Sequence, residues 1–320
     1  MTVVGIDVGG TKTLVGLFEE DGRRLAVEEF VTRNGGDDIE RVVALGASTL
    51  DRWQRDESTA AWASPSSLRG IAAGFPEYVS REGLLTSHEV LTWSTQPHSL
   101  LAAALHPLGL DGLPLVIESD VRLGAWGEAR YGVGVDARDF VYISLGTGLS
   151  STVVLDGRPW AGVRGEAIGL GEWHPLVDVS GPLATEGFRG NLEGYASGAG
   201  IAARFERITG GTTTTRELVA AAEAGDDLSR AILVSAGTAI GRACSEIVNV
   251  LDPAAIVLGG GLGAAPTPVR DAIHRSYEAL GGSRAGRPPL VVAHNGADAG
   301  LLGAAAAAVA ASSITTESQA

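Results

Sequence analysis

The chain has one cysteine, Cys244, among 320 residues. With no second thiol there is no internal disulfide and no thiolate-rich zinc site. Cys244 lies in Ala236 to Leu251, where apolar residues recur at helical spacing, so a buried inert thiol is expected rather than a nucleophile. Positive charge is scarce as well. Against 24 Lys and Arg stand 38 Asp and Glu, a formal charge of −14. That balance argues against a basic nucleic-acid surface and against binding to anionic membrane, and favours a small-molecule partner. The longest apolar run, the alanine-rich Ala299 to Ala311, falls well short of the ~20 residues that span a bilayer; it reads as a closely packed C-terminal helix. The first residues enter a strand at once, with none of the parts of a secretory signal, and a cytoplasmic protein is expected.

What is present is a short pattern that occurs twice. Near the start, Val3-Val4-Gly5-Ile6 runs into Asp7-Val8-Gly9-Gly10-Thr11-Lys12, a strand from Leu14 to Phe18, a turn at Asp21-Gly22 and a strand from Arg24. In mid-chain, Phe140-Val141-Tyr142-Ile143 runs into Ser144-Leu145-Gly146-Thr147-Gly148, a strand from Ser151 to Leu155, a turn at Asp156-Gly157 and Arg158 onward. Both read as strand, glycine turn, strand, Asp-Gly hairpin, strand. Glycine turns let backbone N–H groups converge on an anion, because no Cβ holds a phosphate away. The first turn is no P-loop, since Thr11 stands where the lysine should follow glycine and no helix pattern comes next. Alone it is as readily a structural hairpin; two matching turns suggest a nucleotide gripped between related halves. Gly259-Gly260-Gly261 follows a further strand, either as a surface for a nucleoside or as a tight strand-to-helix turn.

Strands alternating with helices predict an α/β protein of two domains. Helical spacing is expected over Asp37 to Arg55, a loop over Asp56 to Ser67, a strand over Leu68 to Ala73 and a helix near Ser99 to Leu105. Gly109 to Pro114 reads as the crossing between lobes, giving an N-terminal lobe over 1–114, a C-terminal lobe over 115–297, and a helix over about 298–312 packing back on the first. The glycine-rich stretch Gly162 to Leu192 is long and irregular, as functional loops are. Asp120 is the candidate catalytic residue. It stands where the buried strand Leu115 to Glu118 turns into a helix, and carboxylates at such strand ends meet ligands in α/β sheets. A simple helix cap by Ser119 or Asp120 is the alternative.

Taken together these features resemble the ROK family of sugar kinases and related repressors, within the actin-like, hexokinase-like ATPase fold. The resemblance covers nearly the whole chain and rests on six segments in order: Asp7 to Lys12, Glu118-Ser119-Asp120 with Leu123-Gly124 and Gly127-Glu128, Gly146 to Gly148, Leu192 to Gly198, Val257 to Gly261, and Ala299 to Ala304. It implies two ribonuclease-H-like lobes with a cleft between them. It implies Mg-ATP as donor, with Gly9, Gly10, Thr11, Lys12, Gly146, Thr147 and Gly148 on phosphates, Gly259, Gly260 and Gly261 on the nucleoside, and Asp7 orienting Mg2+ through water. Asp120 is then the general base on a sugar hydroxyl, with Ser119, Glu172, His174 and Glu193 as sugar contacts. A homodimer and closure of the lobes around substrate are further implications.

Three departures bear on the substrate. Ser119 replaces the Asn that the family places before its catalytic Asp. Ala184, Glu186 and Asn191 stand where the family carries zinc-binding cysteines, so no structural zinc is expected. The sugar-binding G-E-x-G-H pattern is disturbed over Gly165 to His174, where two registers are open. The expectation is a cytoplasmic ATP-dependent kinase of a glucose- or fructose-like hexose, with a cyclitol or modified sugar as the alternative substrate, polyphosphate as an alternative donor, and a non-catalytic sugar sensor as the alternative of another class.

Overall fold

The computed structural model describes residues 1–33, 35–172, 190–280 and 286–317. They form two compact units, one of residues 1–135, 157–167 and 298 onward, the other of 136–156 and 168–297.

In the first unit, β1 (Thr2–Val8), β2 (Lys12–Glu19) and β3 (Arg24–Val31) form an antiparallel meander. Then come α1 (Asp38–Arg55), the short α2 (Ala60–Ala63) inside the segment expected as loop, and β4 (Leu68–Phe75), which pairs parallel with β1. After α3 (Pro97–Leu105), β5 (Leu115–Ser119) pairs parallel with β4 and passes directly into α4 (Asp120–Tyr131). The sheet order is β3-β2-β1-β4-β5. Alternation along β1 divides the core. Val4, Ile6 and Val8 pack with Ile39, Val42, Leu50 and Trp53 of α1, whereas Val3 packs with Leu123 of α4 and the alanines of the C-terminal helix α11 (Ala299–Glu317). Each large side chain so buried contributes ~1.5–3 kcal/mol. The small residues of α11 let it lie directly on β1 and β4. The Asp37 carboxylate caps α1 by accepting from the Glu40 N–H at 3.0 Å.

The second unit repeats the design. β6 (Phe140–Leu145) and β7 (Leu149–Leu155) form a hairpin, and β8 (Arg158–Pro159), whose residues fall within 157–167 of the first unit, is a two-residue stub of the third strand of this sheet. The helices α5 (Leu192–Ala196), α6 (Gly198–Thr209), α7 (Thr215–Glu223) and α8 (Asp227–Leu251) precede β9 (Ala255–Gly259), which pairs parallel with β6. The short α9 (Gly260–Ala264), α10 (Pro268–Ala279) and β10 (Leu290–Val292) follow. Thr214 and Glu217 form a reciprocal capping box at the start of α7. The 25-residue α8 is long and apolar enough to cross a membrane, but most of it is buried in the core of this unit. Cys244, on α8, is fully buried and its thiol is pushed up to about 12 by that burial, which keeps it inert.

Read from β8, the second sheet has the order β8-β7-β6-β9-β10, strand for strand the order of the first. The sequence repeat is therefore a repeat of topology. One expectation needs correction. The chain does not leave the first unit at Gly109 to Pro114, because β5 hydrogen bonds to β4 and α4 packs beside α11; residues 115–135 belong to the first unit, and the crossing falls after Val135.

Candidate active site

In the first unit the parallel strands β1, β4 and β5 end at one edge of the sheet. Asp7 lies in register with Gly74, and Gly74 with Glu118, so the two acidic residues occupy one row across the sheet with only a glycine between them. Asp120 follows one residue beyond the end of β5, as the first residue of α4. Its Oδ1 accepts from the Val121 N–H at 2.6 Å. Asp120 is open to solvent but hemmed in by protein. Lost solvation, then the neighbouring charge of Asp7, push its carboxyl up to about 7. Asp7 is half-buried, and its own carboxyl is pushed up to about 6 by desolvation, with Lys12 opposing. Its carboxylate lies against the first turn of α11: a Cβ at residue 300 would come within 2.5 Å of Asp7 Oδ2, so only glycine fits there.

The turn after β1 is closed by the Gly9 N–H donating to the Lys12 carbonyl at 2.9 Å. The Lys12 Nζ reaches Glu29 on β3 at 2.9 Å, an exposed pair. Ser119, expected as a sugar contact, is wholly buried, and its hydroxyl has no hydrogen-bond partner among the described residues.

The second unit gathers the remaining glycine segments at the equivalent edge. Gly146, Thr147 and Gly148 link β6 to β7, and the first N–H groups of α6 hold this turn from behind, Gly198 donating to the Gly146 carbonyl and Ala199 to the Thr147 carbonyl, both at 2.9 Å. Glu193, in the first turn of α5, accepts from the Leu149 N–H at 3.0 Å. Parallel pairing sets Ser144 beside Gly259, and Gly260, with φ of +75°, lies directly on the backbone of Leu145. The two glycine segments are thus neighbours within this unit. Glu172 ends a short 3-10 turn at Gly169–Glu172. His174, Ala184 and Glu186 lie outside the described residues. Asn191 is fully buried and caps α5, its Oδ1 accepting from the Gly194 N–H at 2.8 Å.

Two residues at the first site escape sequence reasoning. Glu77 is buried, and its carboxylate accepts from the N–H groups of Glu89, Val90 and Leu91 at 2.7–2.8 Å and from the Ser87 hydroxyl at 2.5 Å. It fixes the 87–91 segment beside Gly10, whose Cβ position lies 2.9 Å from Val90. Arg122 is buried on α4, paired with Glu118. The only sequence signal for it is an Arg four residues after a Glu, a spacing that places the two side chains near each other on a helix.

The sequence profile of the ROK family matches residues 3–311. The bifunctional enzyme NanE/NanK of Brucella melitensis is 33% identical over 310 residues, 95% of this chain and 53% of the relative; the chain spans about half the length of that protein. The N-acetylmannosamine kinase of Citrobacter koseri is 30% identical over 310 residues, covering 95% of this chain and 98% of the relative. The crystal structure of a ROK family glucokinase from Streptomyces griseus, in complex with glucose and AMPPNP, superposes with a TM-score of 0.73 at 25% identity, covering 95% of this chain and 98% of that one. The duplicated α/β topology, the glycine turns in both units and these similarities lead to one conclusion: the chain is a member of the ROK family.

Proposed function

We propose that this protein is a cytoplasmic ATP-dependent kinase that phosphorylates a hydroxyl of a hexose or N-acetylhexosamine. The observation that carries the reading is Asp120, an accessible carboxylate at the end of β5 whose carboxyl is raised to about 7, so that it is poised to take up a proton near neutral pH. Asp120 accepts the proton of the sugar hydroxyl as that oxygen bonds to the γ-phosphorus of ATP; the bond from phosphorus to the β,γ-bridging oxygen breaks and ADP leaves. Positioning and charge stabilisation supply most of the acceleration.

The second unit supplies the nucleotide contacts in this reading. Its turn at Gly146 to Gly148 presents backbone to phosphate, and Gly259 to Gly261 presents backbone to the nucleoside. In the first unit Gly9, Gly10, Thr11 and Lys12 meet phosphate. Mg2+ keeps several waters and takes phosphate oxygens, so it needs few protein ligands. The Asp7 carboxyl, raised by desolvation, lies close enough to Asp120 to add to the rise of its carboxyl, a repulsion that such a cation would relieve. Asp7 would hold the ion through water, and the ion when bound would neutralise the transferring phosphate. Glu172, Glu193 and His174 are assigned to the sugar; the burial of Ser119 leaves its hydroxyl out of that set.

The test is ADP release from Mg-ATP with glucose, fructose, mannose, N-acetylmannosamine, N-acetylglucosamine and cyclitols. Turnover on one class, abolished in Asp120→Asn while that variant still binds an ATP analogue, is expected. Sugar binding without ADP release in the wild type, with polyphosphate also inert, would overturn the kinase and leave a sensor.

A further inference from the structure

Arg122 is the largest fully buried side chain among the described residues. Its guanidinium makes three short hydrogen bonds: Nε to Glu118 Oε1 at 2.5 Å, Nη1 to the Gly165 carbonyl at 2.6 Å, and Nη2 to the Val79 carbonyl at 2.7 Å. All partners lie in the first unit. An arginine is removed from water only where its fork is filled, and here one side holds the carboxylate two residues before Asp120 while the other holds two loop carbonyls. Gly165 is matched to the same contact. Its φ is +93°, and a Cβ there would lie 2.6 Å from Ser80 Cα, so the 162–167 segment sits directly on the 79–80 backbone with its carbonyl turned to Arg122. Three residues later, at Ile168, the chain passes into the second unit and continues to Glu172.

We propose that Arg122 is a positioning residue that fastens the Gly165 segment, the approach to the sugar-binding residues, to the turn that carries Asp120. It does not touch substrate. It sets where the segment begins relative to the base, so its loss weakens sugar use more than ATP use. This role in turnover rests on the kinase reading, whereas the fastening itself does not.

The fastening has a readout that needs no activity. Arg164 is exposed, and the bond that trypsin cuts after it is the bond to Gly165. Releasing the Gly165 carbonyl should speed cleavage after Arg164 by about tenfold or more, the loss expected for a charge-assisted hydrogen bond. Arg122→Met removes the fork but leaves the half-buried Glu118 without its cation, which endangers folding. Arg122→Lys keeps the charge and reaches fewer acceptors, and Gly165→Ala disturbs the seat without touching the arginine. Mass spectrometry of limited digests should show faster cleavage after Arg164 in Arg122→Lys and Gly165→Ala, relative to cleavage at other exposed arginines. Steady-state kinetics should show a raised KM for sugar with KM for ATP within about twofold, and added guanidinium should partly restore Arg122→Ala. Unchanged cleavage after Arg164 in both folded variants, or KM for ATP and sugar rising together, would overturn the proposal. A wild type that phosphorylates no sugar would overturn the kinase reading while the proteolysis still decides the fastening.

Discussion

Desolvation, and after it the charge of Asp7 at the end of β1, raises the carboxyl of Asp120 at the start of α4. Their strands flank β4, so the two groups are held on one edge of one sheet. As a general base Asp120 must be ionised, and with a carboxyl near 7 most of the free enzyme is protonated at pH 6. The acid limb of kcat/KM for the sugar should therefore rise about tenfold per pH unit below that value and level off above it. Asp7→Asn removes a neighbouring negative charge, so the limb should move to lower pH even as the rate falls. A pH profile of the two proteins checks this; a limb that moves up or stays put would exclude Asp7 as the group that raises Asp120.

The same shifts predict how stability varies with pH. Both carboxyls are raised in the folded protein, to about 6 and about 7, above the ~3.9 of an unfolded aspartate. Between those values the folded state binds more protons than the unfolded state, so the two groups lower stability as pH rises from about 4 to about 7. Asp7→Asn and Asp120→Asn relieve that penalty. In the absence of nucleotide and metal, each variant should gain in Tm over the wild type at pH 8 and gain less at pH 5, as scanning calorimetry at the two pH values would show. Equal gains at both would mean that the carboxyls titrate as they do in water.

The repeat of strand, glycine turn and hairpin was legible because both hairpins are local and glycine at a turn has a local cause. The two strand orders agree with it down to the placement of β4 and β9 as the fourth strands. The boundary between units was not legible. Gly109 to Pro114 looks like a linker by composition, yet β5 is placed by hydrogen bonds to β4, some forty residues earlier in the chain, and no local pattern encodes that pairing. Asp120 stood out at its strand end. Arg122 and Glu77 did not, because what marks them is burial among backbone groups distant in sequence. The burial of Ser119 was hidden for the same reason.

Glu193, assigned above to the sugar, also supports the second glycine turn. Its Oε1 holds the Leu149 N–H, immediately after the Gly146 to Gly148 turn, and lies 2.8 Å from the Cβ position of Gly148. A hydrogen bond to a charged acceptor contributes ~1.5–3 kcal/mol. Glu193→Ala should raise KM for the sugar to which Glu193 is assigned and, by loosening the turn, also KM for ATP by about one to two orders of magnitude, and Glu193→Gln, which keeps an acceptor oxygen, should raise both by less. If instead KM for the sugar alone rises, Glu193 serves the sugar and not the phosphate turn.

Zinc content is the remaining discriminating measurement. A zinc site of the cysteine-rich kind needs thiolates held close together. The one thiol of this chain is buried in α8 and pushed up to about 12, so it is not a thiolate at neutral pH. At position 191 the asparagine instead caps α5, holding the Gly194 N–H at the start of the helix that carries Glu193. A side-chain cap of this kind contributes ~0.5–2 kcal/mol. Purified protein should contain well under one zinc per chain by elemental analysis, and EDTA should leave its Tm unchanged, while Asn191→Ala should lower Tm and weaken ATP and sugar use through displacement of Glu193. Stoichiometric zinc would overturn this account, since the ligands would then have to come from carboxylates and imidazoles rather than from the sulfur positions that the chain has given up.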